Sequence, residues 1–313
     1  MIIGIVVVIV AIVGGYLMEH GNIRVLLQPA ELLIIGGAAM GTLLVANPLH
    51  ILKKIAGGVA GMFRGSKYSK QQYLENLKML YQLFSRARKE GLMALESDSD
   101  NPEQSPVFSN YPNFLKDQHA LQFVCDTIRM ASAGGIEPFD MDQMMEIDME
   151  VHHHDASIPV GAVSTMADSL PGLGIVAAVL GVVITMGALG GPPEQIGHKV
   201  AAALVGTFLG VLLCYGFVGP IAANIAKTTE EEHAFYHVLR LVIVSFIKGS
   251  PPSIAVEFGR RAIPGHLRPS FQEMEKYIKD RGDPPPAEPE AAGETPAETP
   301  AAAEEPAAQT PTA

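Results

Sequence analysis

The sequence predicts an all-α, polytopic membrane protein with four transmembrane helices and a helical cytoplasmic domain. Three observations lead there. Charged residues make up only 18% of the 313 residues, against about 25% in an ordinary soluble domain. The apolar residues reach 48% and gather in four uncharged runs. The net charge of −11 misleads as an average, because residues 283–313 hold seven acids and no Lys or Arg, leaving only −4 on the rest. With no basic surplus to release phosphate counterions, a nucleic-acid binder is excluded. Cys125 and Cys214 are the only cysteines, which excludes a disulfide scaffold.

A bilayer core of about 30 Å needs roughly 20 helical residues, with a range of about 17–25. Residues 1–18 are uncharged and sit near the lower limit. They lack a basic n-region, and Tyr16-Leu17-Met18-Glu19 is unlike a small-residue cleavage site, so a retained helix is expected rather than a signal peptide. Residues 32–49 form the second run, with Glu31 at its front edge, and 169–191 the third. Between Lys199 and Lys227 lie 27 residues without Lys, Arg, Asp, Glu or His, which is the fourth. Lys53, Lys54, Arg64, Lys67 and Lys70 follow the second run, and Lys227, Arg240 and Lys248 the fourth. By the positive-inside rule the termini and the long insert are cytoplasmic, in an inner-membrane, multi-pass topology. The expected division is a transmembrane hairpin at 1–49, a cytoplasmic helical domain at 50–165, a second hairpin at 166–228, a cytoplasmic extension at 229–282 and a disordered tail at 283–313.

Within the insert, Tyr73, Leu77, Leu80, Phe84, Gly91 and Leu95 recur at mostly helical steps, and Ser69 is a plausible N-cap. Asn101-Pro102, Ser105-Pro106 and Tyr111-Pro112 break the pattern. A second helix is expected over 114–133, ended by Gly134-Gly135, and a third over 138–154. Residues 50–64 mix basic and apolar positions, as a helix lying on a membrane surface does. Residues 229–247 continue the fourth run as helix, and 270–281 form a short one. The tail holds eight of the 23 prolines and cannot bury enough apolar surface to offset chain entropy.

No P-loop, nucleotide fingerprint or nucleophile elbow appears, so no enzyme, cofactor or metal site is expected. His152-His153-His154 do not converge on one ion, because adjacent helical positions point about 100° apart, and they read as a solvated helix end. An ion path through hydrocarbon normally needs an ionisable group. Here the interiors of the runs hold none, and Glu31 and Asp168 stand at edges, so a carboxylate must come from a partner helix. The runs offer small residues instead, at Gly37-x-x-x-Gly41, Gly206-x-x-x-Gly210, Gly174, Gly181 and Gly187. These serve either contacts with another chain or packing within this one. Thr185 and Thr207 bring hydroxyls, and Pro171 and Pro220 stand at edges of runs, where a proline frees a carbonyl and permits a kink.

Residues 28–47 (QPAELLIIGGAAMGTLLVAN), 167–183 (ADSLPGLGIVAAVLGVV) and 204–220 (LVGTFLGVLLCYGFVGP) resemble the MotA/PomA family of flagellar motor stator subunits. So do 85–98 (SRARKEGLMALESD), 101–112 (NPEQSPVFSNYP) and 251–261 (PPSIAVEFGRR). The likeness spans about 1–280 and omits the tail. The distantly related ExbB and TolQ proteins have three spans, and the extra amino-terminal hairpin argues against an ExbB/TolQ-like channel subunit without a rotor. The resemblance implies five copies around two copies of a MotB-type, peptidoglycan-anchored subunit that carries the ion-binding aspartate. It implies contact with the rotor protein FliG through Arg88 and Glu96, which are roughly 80° apart on a continuous helix. It assigns conformational coupling to Pro171 and Pro220, places Glu31 near the outer end of the second span, and puts Thr207 beside the ion route. Where sodium-type relatives tend to carry a Thr, this chain has Ala177-Ala178. A hydroxyl oxygen suits a dehydrated Na⁺ and proton transfer does not need one, which favours H⁺.

Overall fold

The computed structural model describes residues 2–62, 67–187 and 190–279; the expected disordered tail lies outside them. Among the described residues every regular element is helical. The two short connecting helices are α2 (Ile23–Leu26) and α7 (Pro112–Leu115). Residues 1–280 form one compact unit.

The apolar helices are α1 (Ile2–Met18), α3 (Pro29–Ala46), α9 (Pro138–Met186), and α10 (Pro193–Leu212), which continues through a π-helical segment (Leu213–Val218) into α11 (Gly219–Ile247). Three are long and apolar enough to cross a membrane: α3, α9 and the 55-residue rod Pro193–Ile247. The first, α1, has 17 residues and is shorter than these, at about 25 Å.

α3 buries Glu31, Ile35, Ala39 and Leu43, a stripe at steps of four, against α9 and α10. Its Ile35 and Ala39 join Ala167, Leu170, Ala177 and Cys214 in the membrane core. α9 and α10 approach at glycines: a Cβ on Gly210 would stand 2.6 Å from the Leu170 carbonyl oxygen, and one on Gly174 2.9 Å from that of Gly206. Gly37 and Gly41 face open space within the chain. Only part of the small-residue pattern therefore packs this chain against itself.

The expected break between a helix at 138–154 and the third span is absent. α9 is a single 49-residue helix, roughly 74 Å long, with Pro159 and Pro171 inside it. A proline removes one donor and crowds one carbonyl, and the packing along both flanks tolerates that loss here. The boundaries at 165/166 and 228/229 thus fall within helices. The π segment has a local cause. Pro220 has no N–H and its ring clashes with the carbonyl four residues back, at Gly216. The chain widens its turn ahead of it, so that the Gly219 N–H donates five residues back, to Cys214.

The second core is built by α5 (Lys70–Glu90), α8 (Gln118–Ala133), the first part of α9, α11, α12 (Pro252–Ala262) and α13 (Phe271–Lys279). Tyr73, Leu77, Leu80, Phe84 and Leu95 are buried as the periodicity predicts, and Phe84 stacks on Phe246 at 4.1 Å. Ser69 caps α5, its hydroxyl accepting from the Gln72 N–H at 3.3 Å. Asp117 caps α8, which ends at Gly134 and Gly135 with φ of 74° and 82°. α4 (Leu49–Gly61) buries Ile51 and lays Gly58 against Ile225 of α11. Gly91 differs from expectation. It is exposed at φ 91°, ends α5, and is followed by a 3₁₀ turn (Leu92–Leu95) and α6 (Glu96–Asp100). A side chain is strained at that φ, so glycine here breaks the helix.

Candidate functional site

Two places carry the predicted residues. The first lies where α3 meets α9 and α10. Glu31 is 7% exposed, and its Oε2 has no hydrogen-bond partner among the described residues. It fills the space that a side chain at Gly206 would take: a Cβ there would be 2.8 Å from that oxygen, and 3.2 Å from both the Ala177 Cβ and the Ala178 nitrogen. Glu31, Gly206 and Ala178 therefore meet, which makes the carboxyl a packed group rather than an open edge. Gly206 read only as a helix-packing residue, because nothing in a sequence shows which side chain fills a missing Cβ. Asp168 is exposed.

Thr207 follows Gly206 and, turned about 100° from it, is half-buried with no intramolecular hydrogen bond among the described residues. Its hydroxyl is available to another group. The Thr185 hydroxyl is committed: it is buried and donates to the Gly181 carbonyl at 2.8 Å. Pro171 lies within α9 and is half-buried, whereas Pro220 is exposed just past the π segment. They mark the two long rods where each leaves its apolar run.

The second place is the segment around Gly91. Arg88 and Glu96 are both exposed, and neither forms an ion pair among the described residues. They do not share a continuous helix, because Gly91 separates them, so the 80° estimate does not apply. Several of their charged neighbours are engaged, though the exposed Lys89 has no partner among the described residues. Arg86 grips the buried Asp98 through Nη1 at 2.9 and 3.1 Å and Glu90 at 3.0 Å. Arg129 of α8 holds Asp100 at 2.9 Å and the Ser99 carbonyl at 2.6 Å, and Ser132 donates to the Leu92 carbonyl at 3.0 Å. The Glu90 hydrogen bond, helped by the Asp98 charge and opposed by burial, raises the Arg86 guanidinium above its ordinary value. Arg86→Ala strands the Asp98 carboxylate, whose side chain is 2% exposed, and is expected to cost about 3 kcal/mol. Thermal unfolding of the purified protein measures it; an unchanged midpoint would show that solvent replaces the guanidinium.

The three consecutive histidines are not a solvated helix end, because α9 runs on to Met186. They splay as helical geometry requires. His152 stacks on His119 of α8 with ring centroids 3.7 Å apart, His153 faces His233 of α11 at 4.5 Å, and His154 is exposed.

Residues 2–91 match the family described as Motility protein A N-terminal, and 116–237 match the MotA/TolQ/ExbB proton channel family. Motility protein A of Salmonella typhimurium is 38% identical over 278 residues, which cover 89% of this chain and 94% of that protein. The structure of C. jejuni MotAB aligns with a TM-score of 0.70 at 19% identity, covering 86% of this chain and 98% of that one. The flagellar MotAB stator complex from Bacillus subtilis aligns at 0.68 and 22% identity, covering 86% and 97%. A helical arrangement shared over that length, joined to an identity of 38% across nearly the whole of a relative, has one reading: the chain belongs to the Motility protein A family.

Proposed function

We infer that this chain is the stator subunit of a bacterial flagellar motor, an inner-membrane protein that forms an ion channel with a MotB-type partner and couples ion flow to torque. The observation that carries the reading is the extent of the family match, which includes the amino-terminal residues 2–91 and so favours a motor subunit over an ExbB/TolQ-like channel subunit. Four spans with both termini cytoplasmic, and five copies around two of the partner, complete the assembly. The partner supplies the titrating aspartate, and Thr207, with its unengaged hydroxyl, lines the route together with Ala178 and Thr185. Glu31, wedged against Gly206, fixes α3 on the inner helices near the outer face.

Protonation of the partner's carboxylate changes how the helices pack. Pro171 and the Pro220 turn are the compliant points at which that change enters the rods, because each lacks one helical hydrogen bond. α9 and α10–α11 run uninterrupted from their apolar runs into the second core, so displacement at one end moves the other. Arg240 locks the two rods together, contacting Asp142 at 2.7 Å and Glu146 at 3.2 Å. Arg88 and Glu96, exposed and without an ion pair among the described residues, present the movement to FliG by charge complementarity.

A motility-null strain that receives this chain with its partner tests the reading. Swimming should be restored, persist when sodium is removed, and stop within seconds of adding a protonophore. Loss on sodium removal would reverse the choice of ion, and failure to swim under any condition would reject the stator.

A further inference from the structure

The histidines between the rods and α8 are absorbed by none of the roles above. His119, at the first turn of α8, has its Nδ1 3.0 Å from the Tyr236 hydroxyl of α11 and its ring 3.7 Å from that of His152 on α9. The His152 Nε2 is 3.5 Å from Glu232 of α11, an ion-pair distance rather than a hydrogen bond, and Tyr68 donates to the same carboxylate at 3.3 Å. One residue on, His153 faces His233 at 4.5 Å and Glu230 at 3.6 Å. The Nδ1 atoms of His153 and His233 are buried without a hydrogen-bond partner among the described residues. His237 follows one turn along α11. Protonation at such nitrogens adds a charge and a donor where no acceptor stands. The stack is open to water: His119 and His152 line a cavity of about 1100 Å3 together with Lys54, Lys67, Asp148 and Glu232.

α8 joins this stack to the segment that bears Glu96. His119 is in its first turn, and Arg129 and Ser132, which hold Asp100, Ser99 and Leu92, are in its last two, roughly 15–20 Å away. Whatever loosens the first turn of α8 from the rods loosens the seat of the 91–100 segment.

We propose that the stacked histidines His119, His152, His153 and His233 form a cytoplasmic proton sensor, in which charging the stack at acid pH parts α8 from α9 and α11 and weakens the seat of the rotor-facing segment. Two imidazolium rings 3.7 Å apart repel, so the stacked arrangement holds only while at least one ring of each pair is neutral. The charged groups that bear on His119 are His152 and Asp148 from α9, Glu232 from α11 and Asp117 at the α8 cap. Those on His233 are His153, Glu230, Glu150 and His152, and those on His237 are Arg240, His233, Glu146 and Asp142. Asp155, Lys227 and Glu231 complete the cavity wall. Burial first, and the neighbouring histidine second, lower His119 and His233 below the ordinary value; burial and Arg240 lower His237. Burial pushes Glu232 up, but the facing His152 imidazole, the Lys67 charge and the Tyr68 hydroxyl outweigh it and hold the carboxyl below its ordinary value.

The sign follows from these directions. A histidine lowered in the folded state binds its proton more readily when released, so its contribution is complete above about 6.5 and is lost as pH falls toward the folded value. The sensor therefore disengages on acidification, at the pH that proton influx itself produces.

Hydrogen exchange of the full chain with its partner in nanodiscs, expressed as protection relative to intrinsic exchange, reads this directly. Amides of α8 should lose protection by up to tenfold per pH unit between about pH 6.5 and 5.5, the slope of one linked proton. H119Q and H152Q, which keep a polar group but cannot charge, should flatten that slope to less than about threefold. Equal protection of the unaltered chain at pH 7.5 and 5.5 overturns the sensor without any variant, and a slope unchanged in both variants overturns the assignment to this stack. Swimming at clamped internal pH adds the motor readout: cells should slow at pH 6, and H119Q cells should slow less. The cytoplasmic placement and the bearing on the rotor rest on the stator reading; a chain that powers no swimming fails that reading, while exchange still decides whether the stack responds to protons.

Discussion

Gly210→Val should abolish swimming and leave a protein that no longer holds its inner hairpin. A Cβ at this position would sit 2.6 Å from the Leu170 carbonyl oxygen and 2.8 Å from the Gly174 Cα. Both are backbone atoms of α9, so no side chain can swing aside. The helices must separate, and α9 with α10 is the most extensively packed helix pair of the fold. Between membrane helices there is little hydrophobic drive to restore contact, because lipid tails solvate the exposed faces equally well; close van der Waals approach is the force being lost. Overpacking costs about 1–3 kcal/mol where side chains can adjust, and a backbone clash belongs at or above the upper end. Gly37→Ala, which meets open space within the chain, is the matched control. Heat-induced aggregation of the solubilised protein compares the two. Similar midpoints would show that α9 and α10 part readily.

Reversing the two charges proposed to meet the rotor, Arg88→Glu with Glu96→Lys, should reduce torque at least tenfold while membrane levels stay unchanged. Both side chains are exposed and without partners among the described residues, so nothing in the fold depends on them. Two reversed charges facing complementary ones cost several kcal/mol at a docking surface. Tethered-cell rotation against a fixed load is the measurement, with Lys89→Glu as control for an exposed charge on the same turn. Full torque in the double variant would remove the contact assignment, and an equal loss in the control would show that only net charge counts.

The elements whose side chains face one uniform medium were legible from the sequence. Uncharged runs gave the apolar helices, Ser69 its cap, and the 73–84 periodicity its buried face, because lipid, solvent and core each select residue types directly. Legibility failed where two segments met. Helical periodicity carries no record of whether 138–154 and 169–186 belong to one helix, and here they do, with Pro159 and Pro171 inside it. The Gly91 turn was hidden because a glycine suits an apolar stripe as well as a left-handed turn. The three-dimensional pairing of Arg86 with Asp98 and of Arg129 with Asp100 narrows the exposed charges of this segment but does not by itself separate Arg88 and Glu96 from Lys89, so the choice of these two rests on the family resemblance. The histidine stack needs three helices brought together, and one sequence triplet supplies only two of its members.

The widened turn at 213–218 has a further consequence, best put in terms of reading frame. Along the rod, Ala203, Gly206, Gly210 and Cys214 are buried before or within it, and Ala222, Ile225 and Thr229 after it. Over that distance a uniform α-helix would drift by about 80°, and one residue absorbed in the π turn cancels about 100° of rotation. The stripe within the apolar run and the stripe beyond it therefore stay on the same side, facing α9. Spacing between the two is thereby set to a single residue: a deletion within 213–218 would close the turn and swing every later side chain, Glu232, His233 and Arg240 included, away from its partner on α9.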